Sequence, residues 1–313
     1  MATAAQWVEG ARLRTLPLAV APVLIGTGAA IAEVGGLTDQ FIGSVDGSVA
    51  PGNSLSVAAW VLHFVLALIV ALALQIGTNF ANDYSDGVRG TDDVRVGPQR
   101  LTASGVAAPS SVKRAAFASF GVAGIAGITL VLVSQSWWFV PVGVLCVLAA
   151  WYYTGGKHPY GYLGLGEVFV FIFFGLVATL GTTYTQIHSL SPSAWGGAVG
   201  IGLISCSLLM ANNLRDIPTD REAGKITLAV RLGESRARVA YMAGMLLPFL
   251  LLLIPILTGH PAAVLALLAL VIAIGPVRTV MSDATGQQLI PVLKQTGIVA
   301  LTYGSLLALG LAL

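Results

Sequence analysis

The sequence predicts an all-α integral membrane protein with nine transmembrane spans, and three observations carry that prediction. The first is composition. Of 313 residues, 56% are hydrophobic and only 10% charged, with a mean hydropathy of +0.85, whereas a soluble domain carries roughly 25% charge. The second is the form of the apolar runs. They are continuous rather than alternating, which selects helices over a barrel. The third is the charge map: nine spans place all 16 Lys and Arg on one face, the face that the positive-inside rule makes cytoplasmic.

The spans can be drawn in order. Each is near the ~20 residues that a crossing helix needs. They cover 14–33, 57–80, 113–134, 137–154, 165–187, 194–213, 235–258, 261–281 and 290–313. Arg12 and Arg14 precede the first span, and Arg89, Arg95, Arg100, Lys113 and Arg114 join the second to the third. Lys157 lies between the fourth and fifth, and Arg215, Arg221, Lys225, Arg231, Arg236 and Arg238 between the sixth and seventh. Arg278 and Lys294 flank the last link, while the opposite face carries only Glu33, Asp39 and Asp46. The N-terminus is therefore expected inside. The opening residues lack the charged lead and cleavage site of a signal peptide. The chain reads as one membrane domain, 1–313, with two polar stretches, 82–112 and 214–234, too long to be simple connections. The 34–56 stretch is Gly/Ser-rich and reads as a linker.

Several chemistries are excluded. A net charge of +2 gives no nucleic-acid surface. Cys146 and Cys206 sit inside apolar runs without metal spacing, so a disulfide or zinc framework is not expected. His63, His158, His188 and His260 are scattered, and the run from Tyr152 to Tyr162 lacks the P-loop spacing. No Ser-His-Asp or Cys-His arrangement is present.

The remaining chemistry is concentrated in two Asn/Asp clusters. Asn82-Asp83-Tyr84-Ser85-Asp86 is followed by Asp92 and Asp93, and Asn212-Asn213-Leu214-Arg215-Asp216 by Asp220. Both contain N-x3-D and both close an apolar run. A carboxylate at the centre of a bilayer helix costs about 2.5–3.5 kcal/mol, so a chain that keeps two such clusters uses them. Spacings of three and four stack side chains on one helix face. Two such helix ends facing each other would present oxygen ligands across a cavity, and Mg2+ takes oxygen ligands, carboxylates together with substrate phosphates. Arg95, Arg100 and Lys225 lie within the capping stretches rather than beside a span, which suits them to phosphate. Positive-inside topology alone accounts for many of the other cations. Tyr153 and Lys157 form Y-x3-K, which on spacing alone reads as an interfacial aromatic with a snorkelling lysine.

These motifs resemble those of the UbiA superfamily of intramembrane prenyltransferases. The resemblance rests on Ala11 to Pro17 (ARLRTLP), Asn82 to Gly105 (NDYSDGVRGTDDVRVGPQRLTASG), Tyr153 to Glu167 (YTGGKHPYGYLGLGE) and Asn212 to Gly233 (NNLRDIPTDREAGKITLAVRLG). The general pattern places a second Asp four residues after N-x3-D. Here that position is Gly90, as in the branch that acts on 1,4-dihydroxy-2-naphthoate. The departure leaves open which of Asp92 and Asp93 replaces it.

The resemblance implies nine helices around a central cavity with cytoplasmic capping loops. It implies transfer of a polyprenyl group from polyprenyl diphosphate to the naphthoate, with loss of CO2, giving demethylmenaquinone. It assigns Mg2+ to Asn82, Asp86, Asp216 and Asp220. Arg95, Arg100, Tyr153, Lys157 and Lys225 would hold the diphosphate, with Asp86, Asp216 and Lys157 central to catalysis in the cell membrane. Asp83 and Asp92 are candidate proton acceptors. The rival readings are a sibling enzyme with another aromatic acceptor, a cation-coupled transporter and a structural membrane subunit. Transporter sites lie near the midplane on broken helices, whereas these clusters end their spans. A structural subunit gives no reason for acids in both stretches.

Overall fold

A computed structural model of the chain describes residues 2–37, 56–91 and 100–313, and among them every regular element is helical. In chain order these are α1 (Ala4–Gly10), α2 (Pro17–Glu33), α3 (Val57–Arg89), α4 (Pro109–Ser134), α5 (Phe139–Tyr152) and α6 (Gly166–Ile187). Then follow α7 (Pro192–Arg215), α8 (Ile217–Glu222), α9 (Leu228–Leu232), α10 (Glu234–Leu257), α11 (Pro261–Met281) and α12 (Gly286–Ala312).

Every apolar run read from the sequence corresponds to a helical segment, but the count of nine spans is not reached on length. Among the described residues, seven helices are long and apolar enough to cross a bilayer: α3, α4, α6, α7, α10, α11 and α12. The pair Ala4–Thr15 and Pro17–Glu33, bent by 49°, makes an eighth. The remaining segment, α5, has only 14 residues, a rise of about 21 Å against a hydrocarbon core of ~30 Å.

The polar stretch that begins at residue 82 starts as helix. With 33 residues, α3 is about 50 Å long, so its last turns outrun the apolar core and carry Asn82, Asp83 and Asp86 with them. Asn and Asp are poor helix formers, and the turn is closed by its C-terminal cap. Gly90 adopts φ 76°. Thr91 N donates to Asp86 O at 3.1 Å, and Gly90 N to Gly87 O at 3.4 Å. That pair of bonds is the Schellman closure, which needs a left-handed residue and so favours glycine. The second stretch likewise opens inside a helix, since α7 runs through Arg215, and it contains α8 and α9. Asp92, Asp93 and Arg95 lie outside the described residues, as do Asp39, Asp46 and most of the 34–56 linker.

The most buried spans are α7 and α12. Helix α2 packs on α12, α6 and α7, α10 packs on α7, and α3 packs on α4. Close approach at α2–α12 depends on a small residue: a Cβ at Gly28 would lie 2.6 Å from Ala308 Cα, the small-residue packing typical of membrane bundles. Large apolar side chains face outward on the periphery, among them Ile125 at 73% and Val271 at 69% exposure. That belt is suited to lipid rather than water.

Candidate active site

Helices α2 to α7 enclose a cavity of about 600 Å3. Most of its wall is apolar, from Val70 and Leu74 on α3, Ile128 and Val131 on α4, and Val144 and Val147 on α5. One end is polar, and there the structure brings together seven of the nine side chains nominated from the sequence: Asn82, Asp86, Arg100, Tyr153, Asp216, Asp220 and Lys225 all line it. The two clusters therefore face a single space, as the helical spacing required. Of the other two, Arg95 is outside the described residues. Lys157 is placed differently. It is exposed and does not line the cavity, because the turn at Gly155-Gly156 carries it to the surface.

In the first cluster, Thr154 Oγ1 donates to Asn82 Oδ1 at 2.9 Å, and the Tyr162 hydroxyl donates to Asp86 Oδ1 at 2.9 Å. Arg89 donates from both terminal nitrogens, to the carbonyls of Thr154 and Gly156, and so pins the loop that follows α5. Asp83 does not line this cavity. It is 1% exposed, and its two oxygens accept from Leu101 N at 2.9 Å and Thr102 N at 2.8 Å. Engaged with two backbone amides, this carboxylate forms a structural clasp. The clasp fixes the backbone immediately after Arg100.

In the second cluster, Arg215 grips Asp216 through Nε to Oδ1 at 2.7 Å and Nη2 to Oδ2 at 2.6 Å. Its Nη2 also donates to Asn212 Oδ1 at 2.9 Å. Lys225 Nζ lies 3.3 Å from Asp220 Oδ1 and 5.6 Å from the centroid of the Tyr162 ring. Asn213 Nδ2 donates to Glu167 Oε1 at 3.0 Å, so the cluster is also buttressed from α6.

With the geometry in view, comparison with known proteins decides the family. Residues 48–291 match the model of the UbiA prenyltransferase family. The chain belongs to this family. It is 49% identical over 318 residues to the 1,4-dihydroxy-2-naphthoate octaprenyltransferase of Mycobacterium tuberculosis, covering 100% of this chain and 98% of that one. Against the enzyme of the same name from Escherichia coli the identity is 37%, over 98% and 95% of the two chains. Among solved structures, a UbiA homolog from Archaeoglobus fulgidus bound to GPP and Mg2+ superposes with a TM-score of 0.60 at 14% identity, covering 96% of this chain and 98% of that one. The likeness in fold extends over nearly the whole of both. The chain is thus a multi-pass membrane prenyltransferase.

An aromatic wall leads from the polar end of the site into its apolar length. Tyr153 meets Tyr160 edge-on at 5.5 Å, Tyr160 stacks on Phe169 at 3.9 Å, and Phe169 stacks on Phe173 at 6.1 Å. All four line the cavity. Burial pushes the phenols of Tyr160 and Tyr162 up from their ordinary value, and the Asp86 carboxylate pushes Tyr162 further. Both act as donors, Tyr160 to Ala149 O and Tyr162 to Asp86.

The donor set also bears on a metal. Among the described residues, no three His, Cys, Asp or Glu side chains are grouped closely enough to hold an ion alone. The ligands on offer are the amide oxygen of Asn82 and the carboxylates of Asp86, Asp216 and Asp220. Mg2+ is commonly bound through one or two carboxylates, with substrate phosphates and waters completing the shell. The residues fit an ion held jointly with an anionic substrate, not a closed protein cage.

Sequence reasoning missed four contributors: Thr154, Tyr162, Arg89 and Arg215. The last two were present as cations but read as topology. Thr154 and Tyr162 sit in the glycine- and tyrosine-rich run after α5, whose fold back over α3 has no local signal.

Proposed function

We propose that this chain transfers a polyprenyl group from polyprenyl diphosphate to 1,4-dihydroxy-2-naphthoate, with release of diphosphate and loss of the carboxylate as CO2, giving the quinol form of demethylmenaquinone for menaquinone synthesis. The observation that carries this reading is the cavity itself. One end gathers Asp86, Asp216, Asp220, Arg100 and Lys225, and most of the remaining wall is apolar. A prenyl diphosphate has that same division, a multiply charged head on a hydrocarbon tail. Relatives that match along nearly their whole length are named for the naphthoate reaction, which supports the acceptor.

The roles follow from the chemistry. The allylic carbon–oxygen bond breaks only if the charge of the departing diphosphate is neutralised. Bound Mg2+, held by Asn82, Asp86, Asp216 and Asp220, would supply part of that neutralisation. Arg100 and Lys225 supply more, and the protonated phenol of Tyr153 donates to the same oxygens. The apolar walls keep water from the allyl cation. The faces of Tyr153, Tyr160, Phe169 and Phe173 stabilise it by cation–π attraction. The electron-rich ring carbon of the naphthol then attacks, and departure of its carboxylate restores aromaticity. The whole chain works as one domain of the cell membrane, capped from the cytoplasm, with its N-terminus inside.

Purified protein incubated with Mg2+, a polyprenyl diphosphate and a panel of aromatic acids tests this. Mass spectrometry should find prenylated, decarboxylated product from the naphthoate alone. Product from a different aromatic acid, with none from the naphthoate, would move the chain to another branch of the family.

A further inference from the structure

Tyr162 is none of the residues nominated for metal or phosphate, yet it touches Asp86 of the first cluster and Lys225, the partner of Asp220 in the second. Its hydroxyl donates to Asp86 Oδ1 at 2.9 Å and lies 2.9 Å from Thr91 Oγ1. Since the phenol's one proton goes to the carboxylate, the Thr91 hydroxyl donates to the phenol oxygen, giving a chain Thr91 to Tyr162 to Asp86. The ring faces two cations from opposite caps: Arg89, 5.3 Å from its centroid, and Lys225 at 5.6 Å. Its carbonyl accepts from Ile226 N at 3.0 Å, next to Lys225. One residue further on, Leu163 O accepts from Arg231 at 3.1 Å. The turn Tyr160–Leu163 is a strut between the end of α3 and the stretch after α8.

We propose that Tyr162 is a positioning residue that aims the Asp86 carboxylate at the metal and holds the two clusters as one site. This rests on the Mg2+–diphosphate reading above. With Oδ1 held by the phenol, rotation of the carboxylate about Cβ–Cγ stops, and the direction of Oδ2 is set before substrate arrives. Hydrogen bonds of this kind orient metal-ligating carboxylates and raise their effective affinity. The cation–π contacts keep Lys225 and Arg89 turned toward the same ring, so diphosphate oxygens in the cavity meet Lys225 already in place.

Tyr162→Phe tests this. It keeps the ring, its cation contacts and the backbone strut, and it removes only the hydroxyl with its bonds to Asp86 and Thr91. Mn2+ serves as the metal probe, its binding read by electron paramagnetic resonance in the presence of an unreactive prenyl thiodiphosphate. The expected result is Mn2+ binding weakened by about 10–100-fold, the range for loss of a partner behind a metal ligand, with a thermal midpoint without ligand close to the parent protein. The Mg2+ concentration for half-maximal turnover should shift in step. Parent-like Mn2+ binding by a folded Tyr162→Phe protein overturns the role of Tyr162 and leaves the site reading intact. If the parent protein itself binds no Mn2+ beside the analogue, the site reading falls and this proposal with it. Should Tyr162→Phe not fold, Thr91→Val carries the test, since it leaves the phenol in place and removes its donor. Severalfold weaker Mn2+ binding then supports the relay, and unchanged binding refutes it.

Discussion

Arg215 and Asp216 are neighbours in sequence and form a two-pronged ion pair, 2.7 and 2.6 Å between their atoms, with side chains only 1% and 4% exposed. A chain that proposes Asp216 as a metal ligand thus also keeps a guanidinium on it. Removing one member of a buried pair costs about 3–5 kcal/mol, because the other is left without compensation. Arg215→Met should therefore lower the thermal midpoint in detergent strongly. The double variant Arg215→Met/Asp216→Asn should recover much of the loss, since no buried charge remains. A midpoint for Arg215→Met equal to the parent's would show that water, not the pair, solvates Asp216.

The two clusters line one cavity, so they should fail together. Asp86→Ala and Asp216→Ala should each nearly abolish turnover, and the double variant should be little worse than either, as expected for groups serving one transition state. Excess chelator should have the same effect on the unaltered protein. Near-normal turnover by either folded single variant removes that cluster from the site.

Of Lys225 and Lys157, only Lys225 lines the cavity, and Lys157 is exposed. Lys225→Met should cut turnover by ~100-fold, about 2.7 kcal/mol of transition-state stabilisation. Lys157→Met should stay within a few-fold of the parent. Steady-state kinetics on both decides the assignment, and the reverse order would restore Lys157 as the phosphate ligand that the family motif suggests.

Asp83 clasps Leu101 and Thr102, so its loss should be felt through Arg100. Each bond to a charged acceptor contributes about 1.5–3 kcal/mol. Asp83→Ala should lower stability and raise KM for the prenyl diphosphate while leaving KM for the aromatic acceptor nearly unchanged. Equal changes in both constants would point to general unfolding instead.

Topology has a direct measurement. Ser110, at the start of α4, and Ser189, just past α6, are both exposed and are expected on opposite faces. In a background lacking Cys146 and Cys206, an impermeant thiol reagent applied outside should label Ser189→Cys and not Ser110→Cys. Labelling of both from one side would overturn the nine-span arrangement with the N-terminus inside.

The sequence by itself determined the helical class and the position of every apolar segment to within a few residues, and its charge asymmetry sets the expected orientation. These are local or summed properties. Apolar run length follows from bilayer thickness, and the charge asymmetry accumulates along the chain regardless of packing. The N-x3-D spacing likewise dictates that Asn82 and Asp86 share a helix face. Only the tertiary structure decided which side chains meet. Asp83 and Asp86 are three residues apart, yet one binds the backbone at Leu101 and Thr102 and the other lines the cavity. Lys157 and Lys225 carry the same charge, yet a glycine turn sends one to the surface while Asp220 and Tyr162 hold the other inward. Contacts such as Tyr162 to Asp86 join residues 76 positions apart. They are set by how α3, α7 and the loop after α5 converge, and packing between helices leaves no periodicity in the sequence to read.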